Sequence, residues 1–244
     1  MQSILLSIIL FFSVFNFNSE AQFFDKLKKE ANKILKKKDI SKTFSKDEAA
    51  KAIKEALSKG VSKGTDLVSK TDGYFKNPEI KIPFPEEAKT VEKTLRKVGM
   101  GKKVDKAVET MNRAAEDAAT EAKAVFLSTI KKMTVRDAVD IVKGEDDAAT
   151  RYLEKNTTTT LTEKFRPIIE KSLQKVDGTK HWNSVMSAYN KIPFVDKINP
   201  DLTAYVTEKA LFGLFVMIEK EEKDIRKNPV ARTTDLLKKV FGGK

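Results

Sequence analysis

Apolar side chains recur at the 3.6-residue beat of an α-helix through most of the chain, and the beat stops where capping or breaking residues stand. From Asp47 to about Val68, one face collects Ile53, Ala56, Leu57, Gly60, Val61, Gly64, Leu67 and Val68, while Lys51, Lys54, Glu55, Lys59 and Lys63 fall largely elsewhere. Gly60 and Gly64 stand on the apolar face, where each costs roughly 1 kcal/mol of helix propensity relative to Ala, so close approach of another helix is the expected compensation. Pro85-Glu86-Glu87 puts a proline and two carboxylates at a helix start, and Gly99 closes that helix. One long helix is predicted from Lys102 to about Lys132, with Val104, Ala107, Val108, Met111, Ala115, Ala118, Ala122, Val125 and Phe126 in period.

Thr134-Val-Arg-Asp137 has the form of a capping box and opens a helix that runs through Val142 to Gly144. Glu145-Asp146-Asp147 begins another. The four threonines Thr157 to Thr160 read as a β-branched break, after which Leu161 to Val176 resumes a helix kinked or entered at Pro167. Trp182 to Tyr189 makes a short helix. Asn199-Pro200-Asp201 announces the most buried one, in which Ala210 to Ile218 carries no polar side chain and reads as enclosed by protein on all sides. Asn228-Pro229 stops it, and Thr234-Asp235 starts a last helix with Leu236, Leu237, Val240 and Phe241 on its apolar side.

The exception lies between residues 72 and 85. Asp72-Gly73 opens a turn, Pro78, Pro83 and Pro85 forbid a continuous helix, and Ile80, Ile82 and Phe84 alternate, which predicts an extended connector or a short edge strand. A second such tract, Ile192-Pro193-Phe194, offers it a packing partner. The fold class is therefore all-α: a single compact bundle of about seven or eight helices with an extended, proline-containing connector near residues 72–85.

The first 46 residues follow another pattern. Ile4 to Phe15 is an apolar run of the length of a secretory h-region, and Ser19-Glu20-Ala21 places small residues before a cut at Gln22, so residues 1–21 read as a cleaved signal peptide. The region before the run lacks Lys and Arg, which keeps retention as an N-terminal inner-membrane anchor as the alternative. With no cysteine at the cut, lipoprotein anchoring is excluded. Residues 22–46 form a basic amphipathic leader: Phe24, Leu27, Ala31, Ile34 and Leu35 make one stripe, and Lys26, Lys28, Lys29, Lys33, Lys36, Lys37 and Lys38 cover the other faces. Phe24, Leu27, Lys28, Lys29, Ile34, Lys36 and Lys37 are thus candidate contacts to an anionic membrane or a partner groove, set against a solvated leader helix interrupted by Asp25 and Glu30. Residues 47–244 are the helical domain.

Charge and composition narrow the chemistry. The formal charge of +12 becomes +13 without residues 1–21, whose only charged side chain is Glu20, and such an excess attracts polyanions. An exported chain meets anionic lipid or lipopolysaccharide rather than nucleic acid. The absence of cysteine excludes disulfides, thiolate metal sites and a cysteine nucleophile, and the lone His181 cannot build a histidine metal site. Neither a cofactor nor a metal is expected. The acidic triplet Glu145-Asp146-Asp147 lacks the alternating ligands and central glycine of a calcium loop and suits a helix N-terminus instead.

Catalytic motifs fail on inspection. Gly99-Met100-Gly101-Lys102-Lys103 resembles a phosphate loop, but that motif requires glycine at Arg96 and a hydroxyl at Lys103. Ser128-Thr-Ile-Lys131 and Ser172-Leu-Gln-Lys175 spell Ser-x-x-Lys without the companion elements of the penicillin-binding enzymes. Asn112, Arg113, Glu116 and Glu121 form the densest polar cluster, at the i, i+3 and i+4 spacing of a structural ion-pair network.

Gly73-Tyr-Phe-Lys-Asn-Pro-Glu-Ile-Lys-Ile-Pro83, Met111-Asn-Arg-Ala-Ala-Glu116 and Lys227-Asn-Pro-Val-Ala-Arg-Thr-Thr-Asp-Leu-Leu-Lys-Lys-Val-Phe241 together resemble the bacterial family called domain of unknown function 4197. The resemblance covers about Asp47 to Gly242 and departs in the lysine-rich leader. It implies a helical domain of a Gram-negative envelope protein with a periplasmic address, and it brings no enzyme class or catalytic residues. The expectation is an exported, non-catalytic binding module whose partner is an envelope protein or an anionic membrane surface. An envelope hydrolase whose residues converge only in three dimensions, and a structural or assembly protein, are the alternatives. The sequence sets no oligomeric state.

Overall fold

The computed structural model describes residues 45–175, 201–232 and 234–242, with Trp182, Ser187, Asn190, Lys191 and Lys197 between them. The signal, the leader with its stripe of Phe24, Leu27 and Ile34, His181, most of the short helix expected at 182–189 and the Ile192-Pro193-Phe194 tract lie outside the described residues. Among those described there are eight α-helices: α1 Lys46–Val68, α2 Lys89–Lys97, α3 Gly101–Ala119, α4 Ala122–Lys132, α5 Val135–Lys143, α6 Ala148–Gln174, α7 Leu202–Lys227 and α8 Asp235–Phe241. None of them is long and apolar enough to cross a membrane.

Local chemistry sets the helix starts. The Ser45 hydroxyl accepts from the Glu48 amide at 3.1 Å and the Glu48 carboxylate accepts from the Ser45 amide at 2.7 Å, which closes a capping box at α1. Thr134 and Asp137 repeat the device at α5. Asp201 accepts from the Ala204 amide at the start of α7, and the Thr234 hydroxyl accepts from the Leu237 amide at the start of α8.

Residues Phe44–Lys244 pack as one unit with α7 at its centre. Helix α7 lies along α6 and α1 and also touches α3, while α6 reaches α3 and α4 and α1 rests on α5, α4 and α8. The apolar residues read from the sequence meet in this interior, where Phe126 of α4 and Phe215 of α7 pack edge to face with centroids 5.8 Å apart.

Three expectations about helices need correction. The long helix from Lys102 divides into α3 and α4, because the Thr120 hydroxyl takes the Asp117 carbonyl at 2.7 Å and the Glu121 amide turns to Ala118 in a tight bond. The threonine run does not break α6. Thr157 is buried between Leu153 and Leu161 on the core stripe and donates to the Leu153 carbonyl at 2.6 Å, so burial and back-bonding override β-branched propensity. Pro167 sits inside the same helix at an exposed position, where the carbonyl it deprives of a partner can turn to water. Nor is the run from Ala210 to Ile218 enclosed on all sides, since Phe212 is 62% exposed.

The connector folds as turns to residue 80 and as extended chain from 81 to 85. Ile80, Ile82 and Phe84 turn inward, as their alternation requires, and the Phe84 ring meets the Trp182 indole edge-on at 5.6 Å. Tyr74 is fully buried and donates its hydroxyl to the Ala210 carbonyl at 2.6 Å. Gly213 allows this approach. A Cβ there would stand 2.7 Å from the Tyr74 ring and 3.0 Å from the Ile80 Cβ. Gly64 differs, because α7 crosses it at a distance where a Cβ would meet Ile218 at an ordinary 3.6 Å. Gly64→Ala is therefore expected to raise stability by about 0.5–1 kcal/mol, read as a higher urea midpoint at unchanged slope.

Candidate functional site

Helix α3 holds three of the four residues of the predicted polar cluster against the connector. Asn112 accepts from the Ile82 amide at 2.8 Å and donates to the Ile82 carbonyl at 2.9 Å, so its amide pairs with that residue as a neighbouring strand would. Its second N–H goes to the Val108 carbonyl at 2.8 Å. Glu116, one turn on, accepts from the Tyr74 and Phe75 amides at 3.0 and 3.1 Å through one oxygen and from Arg113 at 2.8 Å through the other. Arg113 then reaches Asp72 at 2.7 Å and lies 5.1 Å from the centre of the Phe75 ring.

The electrostatics follow this geometry. Asp72 sits at the left-handed φ of 71°, a backbone state that Asp tolerates, and hydrogen bonds from Lys76 and then Arg113 hold its carboxyl below the usual range. The Glu116 carboxylate, followed by Asp72, raises Arg113. Burial pushes the Tyr74 phenol far above its ordinary value, helped by the Glu116 charge. Glu121 stands apart from this network and pairs with Lys164 of α6 at 3.2 Å. Each buried polar atom here faces a backbone group or an opposite charge, which is the arrangement of a clamp.

A second buried polar cluster joins α7 to the start of α6. Glu222 accepts from the Ala149 amide at 3.0 Å, and from the amide and hydroxyl of Thr150, both at 2.8 Å. Arg226 donates to the same carboxylate at 2.9 Å and to the Ile141 carbonyl at 3.0 Å. Sequence reading missed these residues because Glu222 lies in the charged stretch Glu219-Lys-Glu-Glu-Lys-Asp224. The signal was its register: Glu222 follows Ile218 by four and precedes Ile225 by three, which puts it on the buried stripe.

Two concavities accompany these clusters. One, beside Glu222 and Arg226, is lined by Ile53, Leu57, Ile218 and Phe241 and encloses about 20 Å³, the space of a single water. The other is an open groove of about 370 Å³ between α6 and α7, floored by Leu211, Phe212 and Phe215 and rimmed by Glu154, Arg166 and Glu208. Its hydroxyls are spent within their own helices: Thr158 donates to the Glu154 carbonyl, Thr162 to Thr158 and Thr207 to Thr203. Arg166 pairs with Asp201 at 2.6 Å. A hydroxyl nucleophile needs a base to receive its proton, and these protons point at helix carbonyls.

The acidic triplet is likewise occupied in part, since Asp146 pairs with Lys227 at 2.7 Å and Asp147 with Arg151 at 2.8 Å. Among the described residues no three His, Cys, Asp or Glu side chains gather as metal ligands would. The family described as "Protein of unknown function (DUF4197)" matches residues 43–242. The chain belongs to that family. Comparison with curated proteins and with solved structures finds no match. The DUF4197 match begins two residues before the Ser45 cap and ends at Gly242, so it spans both buried clusters and every helix described above.

Proposed function

We propose that this chain is an exported, non-catalytic binding module of the bacterial envelope, with an anionic membrane surface as the partner engaged by its basic leader. The observation that carries a binding role over catalysis is the use made of the buried ionisable groups. Glu116 and Glu222 are the carboxylates taken into the interior among the described residues, and both are consumed by backbone amides and an arginine. Acid–base chemistry requires a titratable group that faces substrate rather than structure. The groove between α6 and α7 offers exposed rim carboxylates and no hydroxyl with a base, which leaves the hydrolase alternative without a specific support.

The excess of cations supports the choice of partner. Polyanionic surfaces attract such a chain, and the leader adds an apolar stripe that can enter the boundary between headgroups and acyl chains. Residues 22–244 are expected to float with vesicles containing phosphatidylglycerol and to sediment with pure phosphatidylcholine. Deleting 23–43, which spares the Ser45 cap, is expected to weaken flotation on the order of tenfold or more. Equal flotation without that segment would overturn the leader's role. Fractionation of cells carrying the natural chain tests the periplasmic address, and retention of residues 1–21 in the inner-membrane fraction would select the anchored alternative.

A further inference from the structure

The turn between α2 and α3 concentrates positive charge. Between residues 93 and 106 the chain places six cationic side chains against one carboxylate. Arg96 takes that carboxylate, Asp105, at 2.8 Å, and also Glu92 at 2.9 Å. Lys106 pairs with Glu109. Lys93, Lys97, Lys102 and Lys103 are exposed and have no side-chain partner among the described residues. Some lysines elsewhere cross between elements to find an acid, as Lys63 does to Glu221, Lys123 to Asp66 and Lys220 to Glu79, but four exposed ones without an acid do not gather in this way at another single turn among the described residues.

Folding does not explain this cluster. Lys102 and Lys103 occupy the first turn of α3, where the helix dipole disfavours cations, and that turn holds no acid to offset them. Helix α2 contributes no fully buried residue and only rests Val91 and Leu95 on the core. The turn itself is well built: the Met100 amide bonds the Leu95 carbonyl at 2.9 Å and Gly99 supplies the left-handed φ of 83°. That geometry carries Val98 outward, 65% exposed, between Lys97 and the lysines of α3.

A soluble polyanion would need the lysines but not the aliphatic apex. A bilayer uses both, because an apolar tip enters the interface while long cationic side chains lie back toward the phosphates. We propose that the α2–α3 turn is a membrane-contact tip in which Val98 inserts and Lys93, Lys97, Lys102 and Lys103 pair with anionic phospholipid headgroups. This deepens the envelope-binding reading and rests on it for access to such a membrane. It gives the folded domain a contact of its own, separate in sequence from the leader.

The absence of cysteine allows a single environment-sensitive fluorophore at Val98→Cys or, separately, at Phe24→Cys in residues 22–244. With phosphatidylglycerol vesicles the label at 98 is expected to shift to the blue, with no shift on pure phosphatidylcholine. In Lys97→Glu/Lys102→Glu/Lys103→Glu the vesicle titration midpoint is expected to rise on the order of a hundredfold, at an unchanged helical circular dichroism signal. A silent label at 98 beside a responsive one at 24 overturns the tip and leaves the leader reading standing. A responsive label at 98 beside a silent one at 24 upholds the tip and overturns the leader. An equal shift on neutral vesicles, a midpoint indifferent to charge reversal, or the same shift with soluble polyphosphate alone overturns the proposal.

Discussion

Glu222→Ala is expected to cost about 3–5 kcal/mol of stability, the effect of breaking a buried ion pair by removing one partner. The pair is enclosed, with the Arg226 and Glu222 side chains 6% and 7% exposed. Asp147 stands at the N-cap of α6 without a capping hydrogen bond from its side chain, and Glu222 supplies the carboxylate that accepts from the first amides, from a helix more than seventy residues away in sequence. Alanine strands two amides of α6 and leaves the guanidinium with the Ile141 carbonyl and the Phe241 ring, 5.7 Å away, as its remaining contacts. Glu222→Gln keeps one acceptor oxygen for the amides but no charge for the arginine, so about half of the loss is expected. Glu222→Ala combined with Arg226→Met removes the stranded charge but leaves the two amides unpaired, so part of the stability is expected to return. Urea unfolding of the parent, Glu222→Ala, Arg226→Met and the double variant closes a double-mutant cycle. A Glu222→Ala variant within about 1 kcal/mol of the parent would mean that the pair does not fasten α6 to α7.

These clusters show what the sequence could and could not convey. Helix identity was legible because the 3.6-residue stripe is a property of each segment alone, and the start at Thr134 was legible because a capping box is local. Continuity was not. The joint after Ala119 and the unbroken course of α6 through Thr157 and Pro167 depend on what lies alongside, and a single segment does not record its neighbours. The same holds for polar residues. Asn112, Arg113 and Glu116 were visible as a cluster on one helix, yet their partners Asp72, Tyr74, Phe75 and Ile82 lie at least thirty residues away, so the clamp could not be read from spacing. Glu121 shares that local pattern and ends on a different partner, because the turn after α3 swings it toward α6. Glu222 was the reverse case, a buried acid disguised by charged neighbours though its register placed it on the apolar stripe.

Asn112→Ala is expected to destabilise the protein by about 2–4 kcal/mol, because it leaves both backbone groups of Ile82 without their partner inside the protein. Ile82 is 1% exposed, so water cannot take over without the connector lifting off. The loss is expected to show first as local opening: hydrogen exchange at the amides of 74–84 accelerates while those of α6 and α7 keep their protection. Asn112→Asp separates shape from chemistry. Its carboxylate can still accept from the Ile82 amide, but the Ile82 and Val108 carbonyls that received N–H groups now face an acceptor. The protonated acid can donate to one of them, so burial and those carbonyls raise the pKa of the new carboxyl in the folded state. A folded pKa above the unfolded value means that the folded protein binds more protons at this site, so the variant's stability relative to the parent is highest in acid and falls as pH rises beyond about 4. Asn112→Ala has no such group and should keep the parent's pH profile at a lower level. If the two variants fall together at every pH, the Asn112 amide is only filling space, and the connector is held by Tyr74, Gly213 and the Glu116 carboxylate instead.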